Sequence, residues 1–370
     1  MDGRVRVRIR RRAAAYRGDS GAGDASRVTS AAATASSDAS VLEPADATAT
    51  AREADPAACY DFCSATKTVA RSGSSGRVAA VVPVFRGAAF LDDCLDALLA
   101  TAPGIDVLVV DDGSDDDSAC IAARRARRSE GRVRILPLAR NRGFAGAVRC
   151  GVDLLLAEDD PPSVLVFVNQ DCVVGEGWLA PLVAALEDPS VAVAGARLLD
   201  ADGITLQHAG ARIAANGLTS HIGRGSRDGA AFRQTADVDY VCGALMALRS
   251  RTWRLLGGFD ERFAPAYYEE VDLCLRAAAR GLRSVYVSGS NARHAEASVA
   301  GAGSAAYLAM YHRSRMRLVA RHLFGLRWLG AELAWLGSLR SWAQARPALA
   351  AYRQLPSLLA ERRAEVGVAS

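Results

Sequence analysis

VLVFVNQDCVV, residues 164–174, is the segment from which the rest of the chain can be understood. Its first five residues are apolar and mostly β-branched, which predicts a strand buried on both faces. Asn169, Gln170 and Asp171 follow at the carboxyl end of this strand, the end where open α/β sheets bind ligands. A buried carboxylate needs a cation or hydrogen-bond donors, so we expect Asp171 to bind a divalent metal ion. An ordinary turn is the alternative explanation, because Asn and Asp favour turns.

Apolar runs alternate with helical patterns on both sides of this segment. Strands that alternate with helices predict an α/β protein with a Rossmann-like, mostly parallel, doubly wound sheet. Residues 200–235 are rich in glycine and polar side chains, so we expect an irregular or β-hairpin region there. The predicted strands are residues 78–84, 107–110, 133–136, 164–168, 191–196, 239–248 and 284–287, and helices are predicted at 118–129, 141–157 and 178–187.

Two common nucleotide-binding patterns are missing from the sequence. The first turn, PVFRGAAF at residues 83–90, has one glycine and lacks the GxGxxG pattern that holds the pyrophosphate of NAD. A GxxxxGK[ST] phosphate loop does not occur. The sequence therefore argues against an NAD-dependent enzyme and a P-loop NTPase. The cysteines show no zinc-ligand spacing, which favours reduced thiols and a cytoplasmic protein.

A second acidic segment reads YYEEVDLCLR, residues 267–276. Its apolar spacing predicts a helix that begins near Glu269. Carboxylates are favoured at a helix N-terminus by the helix dipole. That effect would account for one or two carboxylates, whereas this segment has three, Glu269, Glu270 and Asp272. The functional interpretation is that one of these carboxylates is a general base in a cleft. His294 follows in a predicted loop; a lone His is usually structural, yet its position after this helix makes it a candidate.

The two ends of the chain differ from its middle. Residues 1–76 are rich in Ala, Ser, Asp, Thr and Arg without periodicity, so we expect a disordered leader. The folded domain is predicted at residues 77–304. No run of about 18 apolar residues occurs, so no segment is expected to cross a bilayer. We expect no nucleic-acid partner, although residues 1–12 contain six Arg and one Asp.

The tail, residues 305–370, is predicted to be basic, amphipathic and helical, with ten Arg and three Glu. Trp328, Trp335 and Trp342 recur every seven residues and so lie near one helical face. This face suits a helix lying at a membrane interface, which would make the protein peripheral at the inner face of the plasma membrane. Packing on the folded domain or on a second subunit is the alternative, and an oligomer stays possible.

Together these segments resemble the family 2 inverting glycosyltransferases with a GT-A fold, of the rhamnosyltransferase-like branch. The resemblance covers residues 78–320. It rests on residues 81–85, VVDDGSDD (109–116), NRGFAGAVRCG (141–151), NQD (169–171), GGFDERF (257–263), EEVDLCLRAAARG (269–281) and His294.

This resemblance implies a role for each matching residue. Asp111 and Asp112 would bind the base and ribose of the nucleotide. Asp171, with His294, would bind Mn²⁺ or Mg²⁺ at the diphosphate. Glu270 would be the base, with Glu269 and Asp272 as contenders. The residues expected to contact the nucleotide sugar are Pro83, Val84, Phe85, Asp111, Asp112, Asn141, Gly143, Asn169 and Gln170.

Two positions depart from the family pattern. Asn169 stands where a first metal-binding carboxylate is usual, so only Asp171 of the NQD triplet can bind as an anion. Glu270 stands where the base is usually Asp, one methylene shorter. These departures are the reason for keeping a non-catalytic nucleotide-sugar-binding protein as an alternative.

The resemblance implies a metal-dependent, inverting transfer of a sugar from a nucleotide-diphosphate donor, with rhamnose as the first candidate. The acceptor would be a hydroxyl of a saccharide or lipid-linked saccharide in cell-wall or surface polysaccharide assembly. A UDP-sugar donor, such as UDP-galactofuranose, is the nearest alternative, because Asp111 and Asp112 do not discriminate between the two. A nucleotidyltransferase is disfavoured, since the glycine-rich phosphate loop is missing.

Overall fold

The computed structural model of the protein describes residues 76–296, 304–339 and 342–368. The predicted disordered leader lies outside these residues, apart from its last position. The strands are β1 (Val78–Val84), β2 (Asp106–Asp111), β3 (Val133–Pro137), β4 (Val164–Val168), β5 (Cys172–Val174), β6 (Val191–Leu199), β7 (Leu206–His208), β8 (Ala211–Ile213), β9 (Thr219–His221), β10 (Ala236–Val238), β11 (Leu245–Arg249) and β12 (Arg283–His294).

The helices pack around this β-structure and continue to the end of the described chain. They are α1 (Leu91–Thr101), α2 (Ser118–Arg128), α3 (Gly143–Leu156), α4 (Leu179–Ala185), α5 (Ser250–Leu256), α6 (Glu269–Ala278), α7 (Ala305–Leu318), α8 (Leu326–Ser338), α9 (Trp342–Tyr352) and α10 (Leu355–Val368). One turn of π-helix, Val319–Leu323, joins α7 to the segment before α8.

The main sheet has the strand order β10-β12-β6-β11-β4-β1-β2-β3, with β5 and β7 added at β12 and β6. Strands β4, β1, β2 and β3 are parallel neighbours, and β11 is antiparallel to both β4 and β6. The predicted α/β class with a mostly parallel central sheet flanked by helices is therefore confirmed. The apolar run of β4 is buried along its whole length, as the sequence predicted for a central strand.

Two strands differ from their predicted bounds near the site. A strand was predicted at residues 239–248, but β11 begins at Leu245, and the residues before it form an irregular segment beside the cavity described below. Strand β12 is longer than the predicted 284–287 and carries His294 as its last residue rather than in a loop. Its pairing with β6 shifts register between Val287 and Asn291, where polar residues interrupt the apolar pattern.

A buried ion pair joins two of the C-terminal helices, and its arginine also donates to the sheet domain, from Arg315 Nη1 to Asn216 O at 3.3 Å. Arg315 of α7 donates to both carboxylate oxygens of Glu332 of α8, at 2.8 and 2.6 Å, and neither side chain is exposed. Trp328 is buried, and the ring of Trp335 lies 4.8 Å from the Arg315 guanidinium. These two tryptophans therefore pack against other helices of the tail, while the Trp342 side chain lies outside the described residues. Among the described helices, none combines the length and apolar character needed to cross a membrane.

Candidate active site

One cavity of about 760 Å³ opens at the carboxyl ends of β1 and β4, between α3, α6 and α7. It is the place where the sheet topology predicts a ligand, because neighbouring parallel strands end on the same edge. Within the described chain, it collects all the predicted site residues except Asp111 and Asp272. Those that line it are Pro83, Val84, Phe85, Asp112, Asn141, Gly143, Asn169, Gln170, Asp171, Glu269, Glu270 and His294.

Asp171 and His294 meet in this cavity, although they belong to distant parts of the chain. Oδ1 of Asp171 lies 3.2 Å from Nε2 of His294, and both side chains are buried. The pairing of β12 with β5 produces this contact, because His294 is opposite Cys172, the residue after Asp171. The ligand atoms of Asp171, Cys172 and His294 lie within 4.8 Å of one another.

These residues suit a hard divalent ion. Two ligands next to each other around an octahedral Mg²⁺ are about 3 Å apart, close to the 3.2 Å between Asp171 Oδ1 and His294 Nε2. Oδ1 of Asn169, another residue that lines the cavity, is buried and has no hydrogen-bond partner in the described part of the chain, so it is available as a third ligand atom. Burial, and then the charge of Asp171, raises the pKa of Cys172 well above its ordinary value, so this thiol stays protonated and is a poor ligand.

Gln170, the middle residue of the triplet, is held by the backbone at the end of β1. Its Oε1 accepts a hydrogen bond from Phe85 N at 2.9 Å, and its Nε2 donates to Phe85 O at 3.2 Å. Gly87 leaves room for this amide, because a Cβ there would lie 2.2 Å from Gln170 Oε1. Gln170 thus holds the Phe85 backbone at the cavity wall, and both polar atoms of its amide are used in this contact.

The two carboxylates at the end of β2 have different surroundings. Asp111 is buried, accepts a hydrogen bond from Ser114 N at 3.1 Å, and does not line the cavity. Asp112 lines the cavity and accepts from Arg142 N at 2.7 Å and Gly143 N at 2.9 Å. Burial outweighs these backbone donors and raises the pKa of Asp112 to about 6. Of the predicted pair, only Asp112 faces the cavity.

Asp112 also anchors the beginning of α3. Asn141 Oδ1 accepts from Gly143 N at 3.0 Å, so the Asn-Arg-Gly turn is held from two sides. Gly143 has a φ of +75° and packs against Pro265, whose carbonyl would lie 2.7 Å from an added Cβ. Only glycine meets both conditions at little cost. The NRG sequence is therefore a structural requirement of this cavity wall.

Glu269 and Glu270 begin α6 directly beside the cavity. Each has one carboxylate oxygen, Oε2, that is buried and has no hydrogen-bond partner among the described residues. Burial raises the pKa of Glu270 to about 7, although the N–H groups of Val271 and Gly243 counteract it. Burial, and then the charge of Glu270, also raises the pKa of Glu269 well above its ordinary value. A carboxylate with a pKa near 7 is suited to accept a proton at neutral pH.

The residues before α6 adopt an unusual backbone conformation. Tyr267 and Tyr268 have φ values of +79° and +76°, in the left-handed region that bulky side chains avoid. The Tyr268 hydroxyl donates to Gly217 O at 2.8 Å, which helps to hold this conformation. Such strain costs on the order of 1–3 kcal/mol per residue and is concentrated at functional sites. Here it directs the first residues of α6 into the cavity.

Asp272 belongs to α6 but does not line the cavity. It is fully buried and accepts from Arg276 Nε at 2.7 Å, Arg321 Nη1 at 3.1 Å and His322 Nε2 at 2.7 Å. Burial alone would raise its pKa, but the His322 hydrogen bond and the two arginines lower it. These contacts join α6 to the π-helical turn, so the position of Asp272 favours a structural role over that of a base.

Several cavity residues were not predicted from the sequence. Helix α7, placed in the tail by the sequence, forms one wall through Ala306, Tyr307, Met310 and Tyr311. The rings of Tyr307 and Tyr311 are stacked, with their centroids 6.2 Å apart. The centroids of the Tyr307 and Tyr267 rings are 5.1 Å apart. Their i, i+4 spacing was visible in the sequence, but nothing there indicated which face meets the site.

Residues from the irregular 200–235 region also line the cavity. Arg224 forms an ion pair with Glu296, and both residues line the cavity with His221. Burial, and then the charge of Arg224, lowers the pKa of His221 to about 4, so this ring is neutral at physiological pH. Gln207 hydrogen-bonds His294 from behind. The composition of this region gave no indication of these contacts.

Solved structures share this architecture. GalNAc-T7, crystallised with UDP, GalNAc and Mn²⁺, aligns with a TM-score of 0.52 and 15% identity, over 68% of this chain and 48% of that one. The mannosyltransferase PcManGT from Pyrobaculum calidifontis, in complex with GDP-Man and Mn²⁺, aligns with a TM-score of 0.50 and 18% identity, over 85% and 86% of the two chains. The fold is that of the GT-A glycosyltransferases.

Sequence comparison gives the family. The model of glycosyl transferase family 2 matches residues 79–253. N-acetylglucosaminyl-diphospho-decaprenol L-rhamnosyltransferase of Mycobacterium tuberculosis is 30% identical over 287 residues, which cover 72% of this chain and 91% of that relative. The chain belongs to glycosyltransferase family 2, and it is a transferase enzyme.

Other relatives align over only part of their length. The chain spans about a quarter of an uncharacterised Sinorhizobium fredii protein, with 27% identity over 224 residues, 56% of this chain and 24% of that relative. The O-antigen biosynthesis protein RfbC of Myxococcus xanthus is 34% identical over 140 residues, 36% of this chain and 11% of that protein. These alignments support the family and leave the substrates to be inferred.

Proposed function

We propose that the protein is a metal-dependent, inverting glycosyltransferase that moves a sugar from a nucleotide-diphosphate donor to an acceptor hydroxyl. The observation that carries this proposal is one cavity that contains two groups. The first is the pair Asp171 and His294, and the second is the Glu270 carboxylate, whose pKa is raised and whose Oε2 has no hydrogen-bond partner among the described residues. The first suits a diphosphate leaving group and the second suits an acceptor hydroxyl.

Glu270 is the proposed base. Its Oε2 would take the proton of the acceptor hydroxyl while that oxygen attacks the anomeric carbon and the bond to the diphosphate breaks. One displacement at that carbon inverts its configuration. Glu269 lies beside it, and burial, followed by the charge of Glu270, raises its pKa well above the ordinary value; its ionised form is therefore disfavoured, and it is the weaker candidate. Asp272, whose oxygens are occupied by Arg276, Arg321 and His322, is not proposed as a base.

Asp171 and His294 would bind Mn²⁺ or Mg²⁺, with Asn169 Oδ1 available as a neutral oxygen ligand. A divalent ion bound there would neutralise the negative charge of the leaving diphosphate. Asp112 and the end of β1, Pro83, Val84 and Phe85, form the proposed nucleotide side of the cavity. Asp111 would act indirectly, through the turn that it holds with Ser114.

The acceptor side is proposed to be the wall opposite the sheet. Tyr267, Tyr307 and Tyr311 present aromatic rings, which pack well against the apolar faces of sugars. Arg224 adds a positive charge, held by Glu296, that would suit an acceptor phosphate. Because this wall includes the first two turns of α7, we propose that the catalytic unit extends beyond residues 77–304 into the 305–370 tail.

The proposed donor sugar is rhamnose, supplied as dTDP-rhamnose, and the proposed acceptor is a lipid-linked saccharide in cell-wall or surface polysaccharide assembly. The support is the Mycobacterium tuberculosis L-rhamnosyltransferase, whose name specifies an N-acetylglucosaminyl-diphospho-decaprenol acceptor and which aligns over 91% of its length. That alignment favours rhamnose over galactofuranose from a UDP donor.

The test is transfer of labelled sugar to N-acetylglucosaminyl-diphospho-prenol, with dTDP-rhamnose and UDP-galactofuranose compared in the presence of Mn²⁺. The proposal expects a labelled lipid product with dTDP-rhamnose and a loss of that product with EDTA. Product formed only with UDP-galactofuranose would mean that the donor is this UDP sugar and not dTDP-rhamnose. Binding of nucleotide without any transfer, across several acceptors, would favour the non-catalytic alternative.

We also propose that the protein is cytoplasmic and contacts the inner face of the plasma membrane through α8. With Trp328 and Trp335 packed inward, the exposed apolar side chains are Leu326, Leu329 and Leu333, at the i, i+3, i+7 spacing of one helical face. Leu326 is 88% and Leu333 60% exposed. The excess of arginine in this tail would favour anionic lipids.

Vesicle flotation tests this contact. Wild-type protein should float with anionic phospholipid vesicles and less with neutral ones, and the double variant Leu329→Glu, Leu333→Glu should stay in the dense fraction. Leu255→Glu, which alters an exposed leucine elsewhere, is the matched control and should float like the wild type. Equal flotation of the double variant would rule out α8 as the contact.

A further inference from the structure

Gln207 is a buried side chain of β7 that occupies the space behind His294. Its Nε2 donates to His294 O at 3.2 Å and to Asp200 Oδ1 at 3.1 Å, and Glu296 Oε2 lies at 3.5 Å. All three neighbours are acceptors, so the NH₂ group must face them and the amide orientation is determined. Oε1 of Gln207 therefore faces the His294 ring, 2.6 Å from Nδ1.

This contact determines where the His294 ring carries its hydrogen. An amide oxygen only accepts, so Nδ1 of His294 must be the donor. In the neutral ring the lone pair is then on Nε2, the nitrogen that lies 3.2 Å from Asp171 Oδ1 and 3.3 Å from Asn169 Nδ2. The other neutral tautomer would place a hydrogen on Nε2 and leave no lone pair for a metal ion on the cavity side.

We propose that Gln207 is a positioning residue for the metal site: it holds His294 in the tautomer that binds a divalent cation. The inference rests on the proposed function, because it assumes that Asp171 and His294 bind the ion. Metal-binding histidines generally donate their second N–H to an acceptor behind them, and loss of that acceptor typically costs about 10- to 100-fold in metal affinity.

The backbone of the same residue acts on a second ring. Nδ1 of His221 lies 3.3 Å from Gln207 O, a carbonyl that can only accept, so this ring also carries its hydrogen on Nδ1. One residue of β7 therefore orients two imidazoles that line the cavity. Asp200, in the turn before β7, holds the Gln207 amide in place. This region therefore helps to orient the His294 ring.

The spectroscopic test uses ¹⁵N–¹H long-range correlation of the histidine rings in metal-free protein. The chain has five histidines, so the spectrum is simple, and the loss of one pattern in His294→Gln assigns His294. The wild type should show His294 with hydrogen on Nδ1. Gln207→Met, which keeps the length of the side chain but not its acceptor, should show a population with hydrogen on Nε2. If the neutral His294 ring of the wild type carries its hydrogen on Nε2, that spectrum alone overturns the inference.

The binding test measures Mn²⁺ affinity by electron paramagnetic resonance in the presence of dTDP. We expect Gln207→Met to weaken Mn²⁺ binding about 10- to 100-fold, while dTDP binding without metal stays unchanged. Thr205→Val, in the turn before β7 with its hydroxyl bonded only to Asp202 in the described structure, is the control and should bind Mn²⁺ like the wild type.

The two proposals fail in different ways. Wild-type affinity in a folded Gln207→Met variant would overturn the role of Gln207 and leave the proposed function intact. Failure of the wild type itself to bind Mn²⁺ or Mg²⁺ with nucleotide would overturn the metal-dependent function, and this inference with it. Mn²⁺ affinity that falls equally in Thr205→Val would mean that any change in this turn disturbs the site, which also overturns a specific role for Gln207.

Discussion

Asp171 Oδ1 lies 3.2 Å from His294 Nε2, a contact between the residue that precedes β5 and the last residue of β12. Two atoms with lone pairs at this separation repel each other unless a proton or a cation lies between them. In this protein the contact shares one cavity with Glu270 and with Asn169, whose Oδ1 has no hydrogen-bond partner among the described residues.

Asp171→Asn should abolish tight metal binding, because it replaces the anionic ligand by an amide. We expect Mn²⁺ affinity in the presence of nucleotide to fall by at least about 100-fold. Loss of a residue that only supports a metal ligand costs up to about this factor, and loss of the ligand itself should cost no less. Calorimetry with dTDP and Mn²⁺ measures this. Asp237→Asn, an exposed aspartate paired with Arg283, is the control and should leave the affinity unchanged. Equal affinities for the two variants would refute the assignment of Asp171.

Glu270→Gln should remove the base while keeping the shape of the cavity. We expect kcat to fall by about 10²- to 10⁴-fold, with donor affinity close to that of the wild type. Steady-state transfer assays and calorimetry with the donor separate the two quantities. Glu361→Gln, on α10, should behave like the wild type in both. A transfer rate near that of the wild type in Glu270→Gln would show that another group takes the proton.

The pH dependence of transfer should report the raised pKa of Glu270. A base must be ionised, so kcat/KM should rise with pH through a midpoint of about 7, the pKa to which burial raises Glu270. An ordinary glutamate, with a pKa of about 4.3, would give a constant rate over this range. A profile that is flat between about pH 6 and 8 would therefore contradict the proposed base.

Tyr307→Ala should weaken acceptor binding and spare donor binding. Loss of the ring should raise the acceptor KM by about 3- to 10-fold, the factor that corresponds to roughly 0.5–1.5 kcal/mol of aromatic packing. Tyr307→Phe keeps the ring and should retain the wild-type KM. If the donor KM rises instead, the aromatic wall of α7 belongs to the donor side of the cavity.

Asp272→Asn should destabilise the fold, because Arg276 and Arg321 would lose their buried counterion. We expect a loss of roughly 3 kcal/mol or more in the free energy of unfolding, measured with denaturant. Since the folded-state pKa of Asp272 is lowered, its contribution is present above about pH 3.9 and is lost as the pH falls through the lower folded value. Asp115→Asn, in an exposed pair with Arg86, should leave the unfolding transition unchanged.

Much of the fold was predictable because strand periodicity is local. The buried runs of β1 and β4 and the start of α6 at Glu269 agree with the sequence pattern. Strand β12 was underestimated, because Ser288 and Asn291 interrupt its apolar run while its pairing with β6 continues after a register shift. Such pairing depends on a partner distant in sequence, which periodicity does not reveal.

The candidate site was predictable where short polar motifs end strands or begin helices. Asp171, Glu270 and His294 were each named from their local setting, and the structure brings them into one cavity. Gln207 and Tyr307 were not, because a single glutamine in a polar region and a tyrosine in a helix carry no local pattern. Their importance comes from the ring of His294 and from the packing of α7, which are properties of the folded chain.

Release of nucleotide from a panel of nucleotide sugars, measured with and without Mn²⁺ and with and without a prenyl-linked acceptor, in the wild type and in Glu270→Gln, tests the central claim most directly. The account predicts release from one donor, dTDP-rhamnose first, that needs the metal and an acceptor and is lost in the variant. Metal-independent release, or equal release by the wild type and Glu270→Gln, would contradict it.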